Sequence, residues 1–483
     1  MKTRVLALML GICLAVGLLS GCTQNANQQS QSPENSTQPS ENGSESTGDG
    51  IITIALGPSV TTLDPADNTD GTAACVLYAL YDRLVSYGTK VENGVEVADV
   101  ENVQPSIAER WEVSEDQLTW TFYLDPDATF ANGEPVLAED VEWSYMRTKD
   151  NPSSATSFAT TNIESIDVID DHTVQFNLSL HCPTFLQLAE MYRFCILDKS
   201  QAEEHDDDWL TTNAVGSGPY QIEKFDTSSE IILTAREDYW KGSDVVKNQQ
   251  IVLRMIPEAS NRLLLLQQGD VDLAIDLEAR SLQALREDDT DNITVQSNQS
   301  NRILWFGMNC ELEPFDDPLV RQAICYAIPY DELVDNVMYG DASPMLSCIP
   351  TIMPGHIEGD DTHYTYDPDR ARELLAQAGY EDGLTFDFTL GSGYSDWQDC
   401  AIIIQNALEE IGVTMNINQV ERAQFLEMAA AGQCQAYISR FTAFINDPGY
   451  LTVRLYTTDG SFNYNNYSNA QVDALYQEAI LTL

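Results

Sequence analysis

The chain is poor in basic residues and rich in acidic ones. Its 483 residues include 24 lysines and arginines against 76 aspartates and glutamates, which gives a formal net charge of −52 at pH 7. Nucleic acid and anionic membrane surfaces repel such a chain and are disfavoured as partners. The charge does not by itself indicate a cationic ligand, because the charge of a pocket is separate from the net charge of the protein.

Common catalytic motifs are also missing. The sequence contains no H-E-x-x-H, no G-x-S-x-G and no C-x-x-C, which argues against the enzymes that those motifs mark. Gly216 and Gly218 are not followed by Lys-Ser or Lys-Thr, so they do not form the phosphate loop of an ATPase. The acidic segments with histidine at 205–208 and 356–363 are more typical of solvated loops than of metal sites. We therefore predict no enzyme activity, no metal and no cofactor.

Beyond residue 20, the chain has no apolar run close to the roughly 20 residues that a membrane-spanning helix needs. Lys2, Arg4 and the apolar run to Leu18 form a processing segment. The following Leu19-Ser20-Gly21-Cys22 resembles a bacterial lipobox, whose cysteine is diacylated; an ordinary secretory signal is the alternative. Residues 23–50 contain no Val, Ile, Leu, Phe, Tyr or Trp, which predicts a disordered tether. We expect a lipid on Cys22 to hold the chain on the extracytoplasmic face of the cell membrane.

The cysteines leave two interpretations open. Of the ten, Cys13 lies in the processing segment and Cys22 is the predicted lipidation site, which leaves eight. In an exported protein these could form bridges, and Cys182 and Cys195, which are close in sequence, are the first predicted pair. Buried free thiols are the alternative.

The stretch from Pro105 to Tyr145 has a regular pattern. A strand with one buried face is predicted by the alternating apolar residues Leu118, Trp120, Phe122 and Leu124. Asn132-Gly133 predicts a tight turn, and Glu139-Asp140 predicts the start of a helix. Strand, turn and helix together indicate an α/β domain.

Other segments give clear boundaries. Helical spacing predicts a helix from Ala73, Asp317-Pro318 predicts a helix start, and 413–420 is predicted to be a strand. Near the end, Ser468-Asn469 is predicted to cap a helix. The residues expected to face a core on that helix are Val472, Leu475, Tyr476 and Ala479. Because the chain stops inside this pattern, we expect an incomplete C-terminus.

The order of residues in 105–145 resembles the signature of family 5 extracellular solute-binding proteins of ABC transporters, the receptors for peptides, nickel and oligosaccharides. The residues in register are Ala108, Trp111, Ser114, Asp116, Trp120, Phe122, Leu124, Phe130, Gly133, Pro135, Ala138, Asp140 and Val141. Further matches lie at 215–220, 237–242, 256–277 and 305–324. One departure is Leu137, where the family often has Thr or Ser.

The resemblance implies an α/β, two-lobed periplasmic-binding-protein-like fold (type II, cluster C) with mixed sheets and a hinge. Residues 51–93 and 213–300 are assigned to lobe I, 94–212 to a subdomain inserted in lobe I, and 301–483 to lobe II. The ligand is expected between the lobes, and closure is expected to create the form that a permease recognises.

Ser439 to Tyr450 is the most informative segment for the ligand. In the family it reads roughly W-x-(Ala/Gly)-D-x-x-D/E-P, and in the peptide receptors the first Asp neutralises the α-ammonium of the peptide. Phe441 takes the Trp position here, and Phe444 takes the Asp position. An ammonium buried without a counter-charge costs roughly several kcal/mol, of which a cation–π contact with Phe444 recovers about 0.5–2 kcal/mol.

Other residues are assigned to the cleft by the same resemblance. Arg440 replaces a small residue and would prefer an anion. Asp447 takes the D/E position, and Asn446, Val60 and Thr61 are also expected to line the cleft. The alternative is that the alignment slips and that Arg440 and Phe444 pack in the core.

We expect a monomeric lipoprotein that delivers a peptide or peptide-like solute to an ABC permease and ATPase, touching the membrane only through its lipid. A non-peptide solute, such as a nickel chelate or an oligosaccharide, is the alternative that the lost Asp favours. A secreted enzyme or a receptor that only signals is an alternative of another class.

Overall fold

The computed structural model describes residues 50–482 except 58–59, 69–70, 93, 152–161, 183, 207, 288–291, 346 and 358–362. The predicted processing segment, Cys22 and most of the predicted tether lie outside the described residues. Among the described residues, no helix combines the length and the apolar character that a membrane crossing requires.

The strands are β1 (Ile51–Leu56), β2 (Val85–Glu92), β3 (Val95–Pro105), β4 (Ala108–Val113), β5 (Thr119–Leu124), β6 (Ile163–Asp170), β7 (Thr173–Leu178), β8 (Tyr220–Asp226), β9 (Glu230–Ala235), β10 (Gln250–Met255), β11 (Leu273–Ala274), β12 (Arg302–Met308), β13 (Leu384–Gly391), β14 (Val413–Val420) and β15 (Ala436–Thr442). The helices are α1 (Gly71–Leu80), α2 (Ala138–Asp150), α3 (Phe185–Glu190), α4 (Lys199–Glu203), α5 (Ala259–Gln268), α6 (Ala279–Glu287), α7 (Pro318–Ala327), α8 (Tyr330–Asn336), α9 (Pro368–Gln377), α10 (Ser395–Glu410), α11 (Arg422–Ala430), α12 (Pro448–Leu455) and α13 (Ala470–Thr482).

The first sheet, here called the N sheet, has the strand order β11-β1-β10-β9-β8. Strand β1 runs parallel to β10 and β11, whereas β9 runs antiparallel to β10 and β8. Helix α1 buries Val76, Leu77 and Leu80 in the core of this sheet, as its spacing predicted. Because parallel strands point the same way, the carboxyl ends of β1, β10 and β11 lie side by side.

The second sheet, here called the C sheet, has the strand order β12-β15-β13-β14. Strand β13 is parallel to both β14 and β15, and β12 is antiparallel to β15. The predicted bounds of β14 are confirmed. Helix α7 begins where predicted, since the carboxylate of Asp317 accepts a hydrogen bond from the backbone N–H of Leu319 at 2.8 Å.

A third sheet, here called the inserted sheet, has the antiparallel order β4-β5-β7-β6. Its core includes the predicted buried face of β5, with Trp120, Phe122 and Leu124 all buried. Phe441 and Leu455 are buried in the same core. The end of β15 and the residues that follow it therefore pack against the inserted sheet.

Two of the sequence motifs meet at Asp82. This buried carboxylate accepts hydrogen bonds from the hydroxyl of Tyr239 at 3.2 Å, the indole N–H of Trp240 at 2.8 Å and the ammonium of Lys241 at 3.1 Å. The Lys241 ammonium also donates to the hydroxyl of Ser106 at 2.8 Å. The residue order at 237–242 is thus explained by the buried carboxylate of Asp82. It links the end of α1 to residues 239–241, and Lys241 extends the network to Ser106.

The glycines at 216 and 218 are explained by close packing against the end of α1. A Cβ on Gly216 would lie 1.9 Å from the carbonyl oxygen of Leu80, and one on Gly218 would lie 2.5 Å from the Leu80 carbonyl carbon. The N–H of Gly218 donates to that same oxygen at 3.0 Å. No other residue fits at either position without a shift of the backbone.

Helix α2 begins with a buried carboxylate. Asp140 accepts hydrogen bonds from the N–H of Leu137 at 2.9 Å and from the N–H of Lys199 at 3.0 Å. A capping box has two hydrogen bonds, one accepted by the side chain before the helix and one accepted by the side chain three residues later. Leu137 has no side-chain oxygen and cannot accept the first, so only the second, from the N–H of Leu137 to Asp140, is formed. Burial raises the pKa of Asp140 to about 6, partly offset by the two N–H donors.

The predicted disulfide between Cys182 and Cys195 is wrong, because both residues are free thiols. Cys182 lies in the core of the inserted sheet, whereas Cys195 lies in the core of the N sheet. Burial raises the pKa of Cys182 to about 11 and that of Cys195 to about 12. The thiolate is therefore disfavoured at both, as is usual for buried structural cysteines.

The last helix agrees with its prediction only in part. Asn469 caps α13 by accepting a hydrogen bond from the N–H of Gln471 at 2.9 Å, and Tyr476 is buried. Leu475 is 57% exposed and Ala479 is exposed, so the prediction that they face a core is wrong. The buried stripe of this helix is narrower than its apolar composition indicates.

Candidate functional site

A hydrogen bond joins the carboxyl edges of the N sheet and the C sheet. Ser395, the first residue of α10 after β13, donates a hydrogen bond from its hydroxyl to the carboxylate of Glu278, which follows β11, at 3.2 Å. In open α/β sheets, solutes bind outside the carboxyl ends of the strands. The space beside this contact is therefore the candidate solute site.

On the N-sheet side, Arg262 fixes the backbone at the edge. Its guanidinium donates to the carbonyl oxygens of Ile256 at 2.7 Å, Pro257 at 2.8 Å and Ile275 at 3.0 Å. A Cβ on Gly57 would lie 3.0 Å from this guanidinium. These bonds hold the segments after β10 and β11 together, and Gly57 after β1 packs closely against the same guanidinium, which gives the site a rigid wall.

Two predicted site residues follow β1 on this wall. Val60 is fully buried in the core of the N sheet, whereas Thr61 is exposed. Val60 therefore packs the wall from behind, and Thr61 is the residue of the pair that a solute can reach.

On the C-sheet side, Arg440 lies near the end of β15. It forms an ion pair with Asp396, and its guanidinium carbon lies 5.5 Å from the ring centre of Tyr394 and 5.9 Å from that of Trp397. Both partners of the pair are a little over one quarter exposed. The anion that Arg440 was expected to seek in a ligand is thus present within the chain, at the first turn of α10, where a carboxylate is also favoured by the helix dipole.

The two phenylalanines of the segment differ in environment. Phe441 is buried, with Phe462 edge-on to its ring at 5.3 Å. Phe444 is 37% exposed and meets the ring of Tyr192 edge-on at 5.9 Å. Tyr192 in turn meets Tyr78, which is 36% exposed, at 6.4 Å. Phe441 is a core residue, whereas Phe444 belongs to a partly exposed aromatic row with Tyr192 and Tyr78.

Asp447 has a structural role at the start of α12. Its carboxylate accepts a hydrogen bond from the N–H of Tyr450 at 2.7 Å, as an N-cap residue does. Burial raises the pKa of Asp447, against the lowering effect of the backbone donors. The D/E-P pattern of the segment is therefore explained by helix capping.

Residues between 344 and 357 contribute to the lining of two cavities. The first, here called the loop cavity, has a volume of about 430 Å³ and includes Tyr330, Cys348 and Tyr364 in its lining. The second, here called the Asn446 cavity, has a volume of about 270 Å³. It is lined by Val100, Glu101, Gln187, residues 352–354 and Asn446.

The Asn446 cavity contains the predicted residue Asn446 and several that sequence reasoning missed. Glu101 comes from β3, Gln187 from α3, and 352–354 from the segment after α8. These residues are far apart in the sequence, and none of them lies in a motif that marks a site. Only the tertiary fold brings them together.

In the described parts of the acidic segments 205–208 and 356–363, the histidines make other contacts. Among the described residues, no group of three or more His, Cys, Asp or Glu side chains is placed to hold a metal ion. His356 contacts the carbonyl oxygen of Ile349 at 2.8 Å, and the ring of His205 stacks on Trp209 at 4.3 Å. Residues 358–362 and 207 of these segments lie outside the described part of the chain.

Two mixed α/β sheets whose carboxyl edges are joined by a hydrogen bond, together with an inserted antiparallel sheet, are the architecture of a two-lobed solute-binding protein. The chain belongs to the bacterial extracellular solute-binding proteins, family 5, whose family model (the "Middle" region) matches residues 102–463. The family consists of solute-binding proteins and not of enzymes.

Three relatives illustrate the similarity. The probable D,D-dipeptide-binding periplasmic protein DdpA of Escherichia coli is 28% identical, over 89% of this chain and 83% of that protein. Heme-binding protein A of Haemophilus influenzae is 27% identical, over 98% of this chain and 88% of that protein. The ABC transporter-associated periplasmic binding protein DppA from Helicobacter pylori, solved in complex with the peptide STSA, superposes with a TM-score of 0.75 at 25% identity, covering 89% and 86% of the two chains.

Proposed function

We propose that this chain is the substrate-binding lipoprotein of an ABC importer and that it captures a peptide or peptide-like solute between its two lobes. The observation that supports this most is the match to family 5 along 102–463. The relatives named for dipeptides and the structural neighbour with a bound peptide favour the solute class. The solute would then pass unchanged to a permease and its ATPase.

Binding requires no covalent chemistry in this proposal. The solute enters between the N-sheet and C-sheet edges, and closure of the lobes buries it against Thr61, Phe444 and Asn446. Affinity comes from burial of apolar surface and from a few converging polar groups. A solute can favour the closed form only by making more contacts there than in the open form.

We also propose that a lipid on Cys22 anchors the protein outside the cell and that residues 23–50 act as its tether. The support is the order Leu19-Ser20-Gly21-Cys22 followed by a segment without large apolar residues. Incorporation of a labelled fatty acid into the native chain, and its loss in Cys22→Ala, tests the anchor. Equal labelling of both chains would exclude Cys22 as the site.

A non-peptide solute is the second candidate, and one observation favours it. In the predicted alignment Phe444 takes the position of the Asp of the peptide receptors, and its ring meets Tyr192 edge-on. An aromatic row suits the flat or apolar face of a solute better than an ammonium group. A relative named for heme lies within the same family.

The proposed function is tested by a thermal-shift screen of the mature protein with peptides, metal chelates and sugars. We expect a rise in melting temperature with peptides, because binding to the folded state alone stabilises it. The Phe444→Asp variant should gain affinity for peptides with a free amino terminus. A shift with a chelate or sugar and none with any peptide would reject the peptide class in favour of the second candidate, and no shift with any solute would contradict the receptor function.

A further inference from the structure

The Asn446 cavity has an excess of hydrogen-bond acceptors. Within the described part of the chain, the side-chain oxygen of Asn446 is buried and has no hydrogen-bond partner. The same is true of the side-chain oxygen of Gln187. Both residues line this cavity. Buried carbonyl oxygens without a donor are uncommon and each costs about 1–3 kcal/mol.

The orientation of the Asn446 amide is fixed by its surroundings. Its NH₂ group donates a hydrogen bond to the carbonyl oxygen of Ile352 at 2.9 Å. In the flipped orientation, the side-chain oxygen of Asn446 would face the carbonyl oxygen of Ile352, and the two would repel each other. The unpaired atom of this amide is therefore its oxygen, a hydrogen-bond acceptor.

A carboxylate completes the set of acceptors. Glu101 lies in the lining of the same cavity and is exposed, so its charge stands at the rim. The lining of this cavity thus includes one carboxylate and two amide side chains whose oxygens have no hydrogen-bond partner among the described residues. An ammonium group has three N–H donors, which equals the number of these side chains.

We propose that the Asn446 cavity is the subsite that receives a primary ammonium group of the solute, with Glu101 as its counter-charge and the oxygens of Asn446 and Gln187 as its other acceptors. This inference rests on the proposed function and assigns the chemistry that Phe444 does not provide. The acceptor set lies on β3, α3 and the residue two positions after Phe444.

The size of the cavity agrees with this role. A volume of about 270 Å³ is below the roughly 300–1,000 Å³ of pockets that hold a whole small molecule. It therefore takes one end of a solute, and the remainder lies in the space between the sheet edges. Three side chains also fall short of the about six to eight oxygen ligands of Ca²⁺, which makes an ammonium a better match than a hard metal ion.

The test compares a pool of mixed-sequence tripeptides with the same pool after N-acetylation, using native mass spectrometry of the mature protein. Acetylation removes the charge and two of the three donors of the terminus. We expect the free-amine pool to bind at least tenfold more tightly than the acetylated pool. Glu101→Gln and Gln187→Leu should each abolish most of this preference, whereas Glu427→Gln, a change at an exposed acidic residue on α11, should retain it.

A variant that gains the preference for free amines distinguishes a lost subsite from a chain that fails to fold. Gln187→Glu keeps the shape of the side chain and adds a negative charge, so it should increase the preference for free amines severalfold. Equal binding of both pools by the native chain, or an undiminished preference in both Glu101→Gln and Gln187→Leu, would overturn the subsite while leaving the receptor function intact. Absence of binding by either pool would overturn the peptide class of the proposed function and the subsite with it.

Discussion

Removal of the Asp82 carboxylate should be among the most destabilising single changes in the chain. In Asp82→Ala, the Lys241 ammonium, the Trp240 indole and the Tyr239 hydroxyl lose a shared acceptor in a buried place. Removing one partner of a buried ion pair costs about 3–5 kcal/mol, because the other charge is left without compensation. Because the side chain of Lys241 is 29% exposed, water compensates part of its charge, and we expect a smaller loss of about 2–4 kcal/mol in the free energy of unfolding.

The assay is urea unfolding followed by tryptophan fluorescence. Trp240 donates directly to Asp82, so its emission should also change in the folded variant. The matched control is Glu112→Ala, which removes an ion pair with Arg110 whose side chains are 66% and 52% exposed. Exposed pairs contribute little, and the control should lose no more than about 1 kcal/mol.

A second variant separates charge from hydrogen bonding. Asp82→Asn keeps one acceptor of the same shape but removes the counter-charge of Lys241. Adding Lys241→Met to it removes the unpaired ammonium and should recover part of the lost stability. A loss below about 1 kcal/mol in Asp82→Ala, equal to that of the exposed control, would refute the view that this residue is the acceptor that joins the motifs.

Two further predictions concern stability. Gly216→Ala should prevent stable folding, because its Cβ would lie 1.9 Å from the carbonyl oxygen of Leu80. The control is Gly133→Ala, where φ is +86° and the space around the Cβ is open, and it should lose only about 1–2 kcal/mol of stability. Equal urea midpoints for the two variants would contradict the packing argument. The pKa of Asp140 is raised to about 6 in the folded chain from about 3.9 when unfolded, so the folded state binds the proton more tightly. Relative to Asp140→Asn, the native chain should therefore lose stability as pH rises from 4 to 7. The measurement is the free energy of unfolding in urea at several pH values for both chains. Parallel pH profiles of the two chains would show that the pKa of this carboxyl is not raised.

Local structure followed from the sequence where one segment determines it. Asp317 and Asn469 cap helices as predicted, and β14 has the predicted bounds, because caps and apolar alternation depend on neighbours in the chain. The family was also recognisable, since the motifs at 105–145 and 237–242 stand at fixed spacing. The physical reason for these motif residues comes from the structure. Asp82 accepts hydrogen bonds from Tyr239 and Trp240, and the carbonyl group of Leu80 leaves no space for a side chain at Gly216 or Gly218.

The side chains that meet at the candidate site could not be predicted from local sequence patterns. Arg440 on β15 pairs with Asp396 in the first turn of α10, 44 positions away in the sequence, so its partner is not encoded by local spacing. Gln187 and Glu101 enter the Asn446 cavity from separate segments of the chain. Cys182 and Cys195 are near in sequence yet lie in two different cores, which is why proximity in sequence misled the pairing.

The central claim is that a solute is held between the N-sheet and C-sheet edges with its amine in the Asn446 cavity. The most direct test is a crystal structure of the mature protein with the peptide that raises its melting temperature most. We predict peptide density beside the Ser395–Glu278 contact, with the terminal nitrogen within hydrogen-bond distance of Asn446 and Gln187. Density confined to the loop cavity beside Tyr330 and Tyr364, or to the outer surface, would contradict the account.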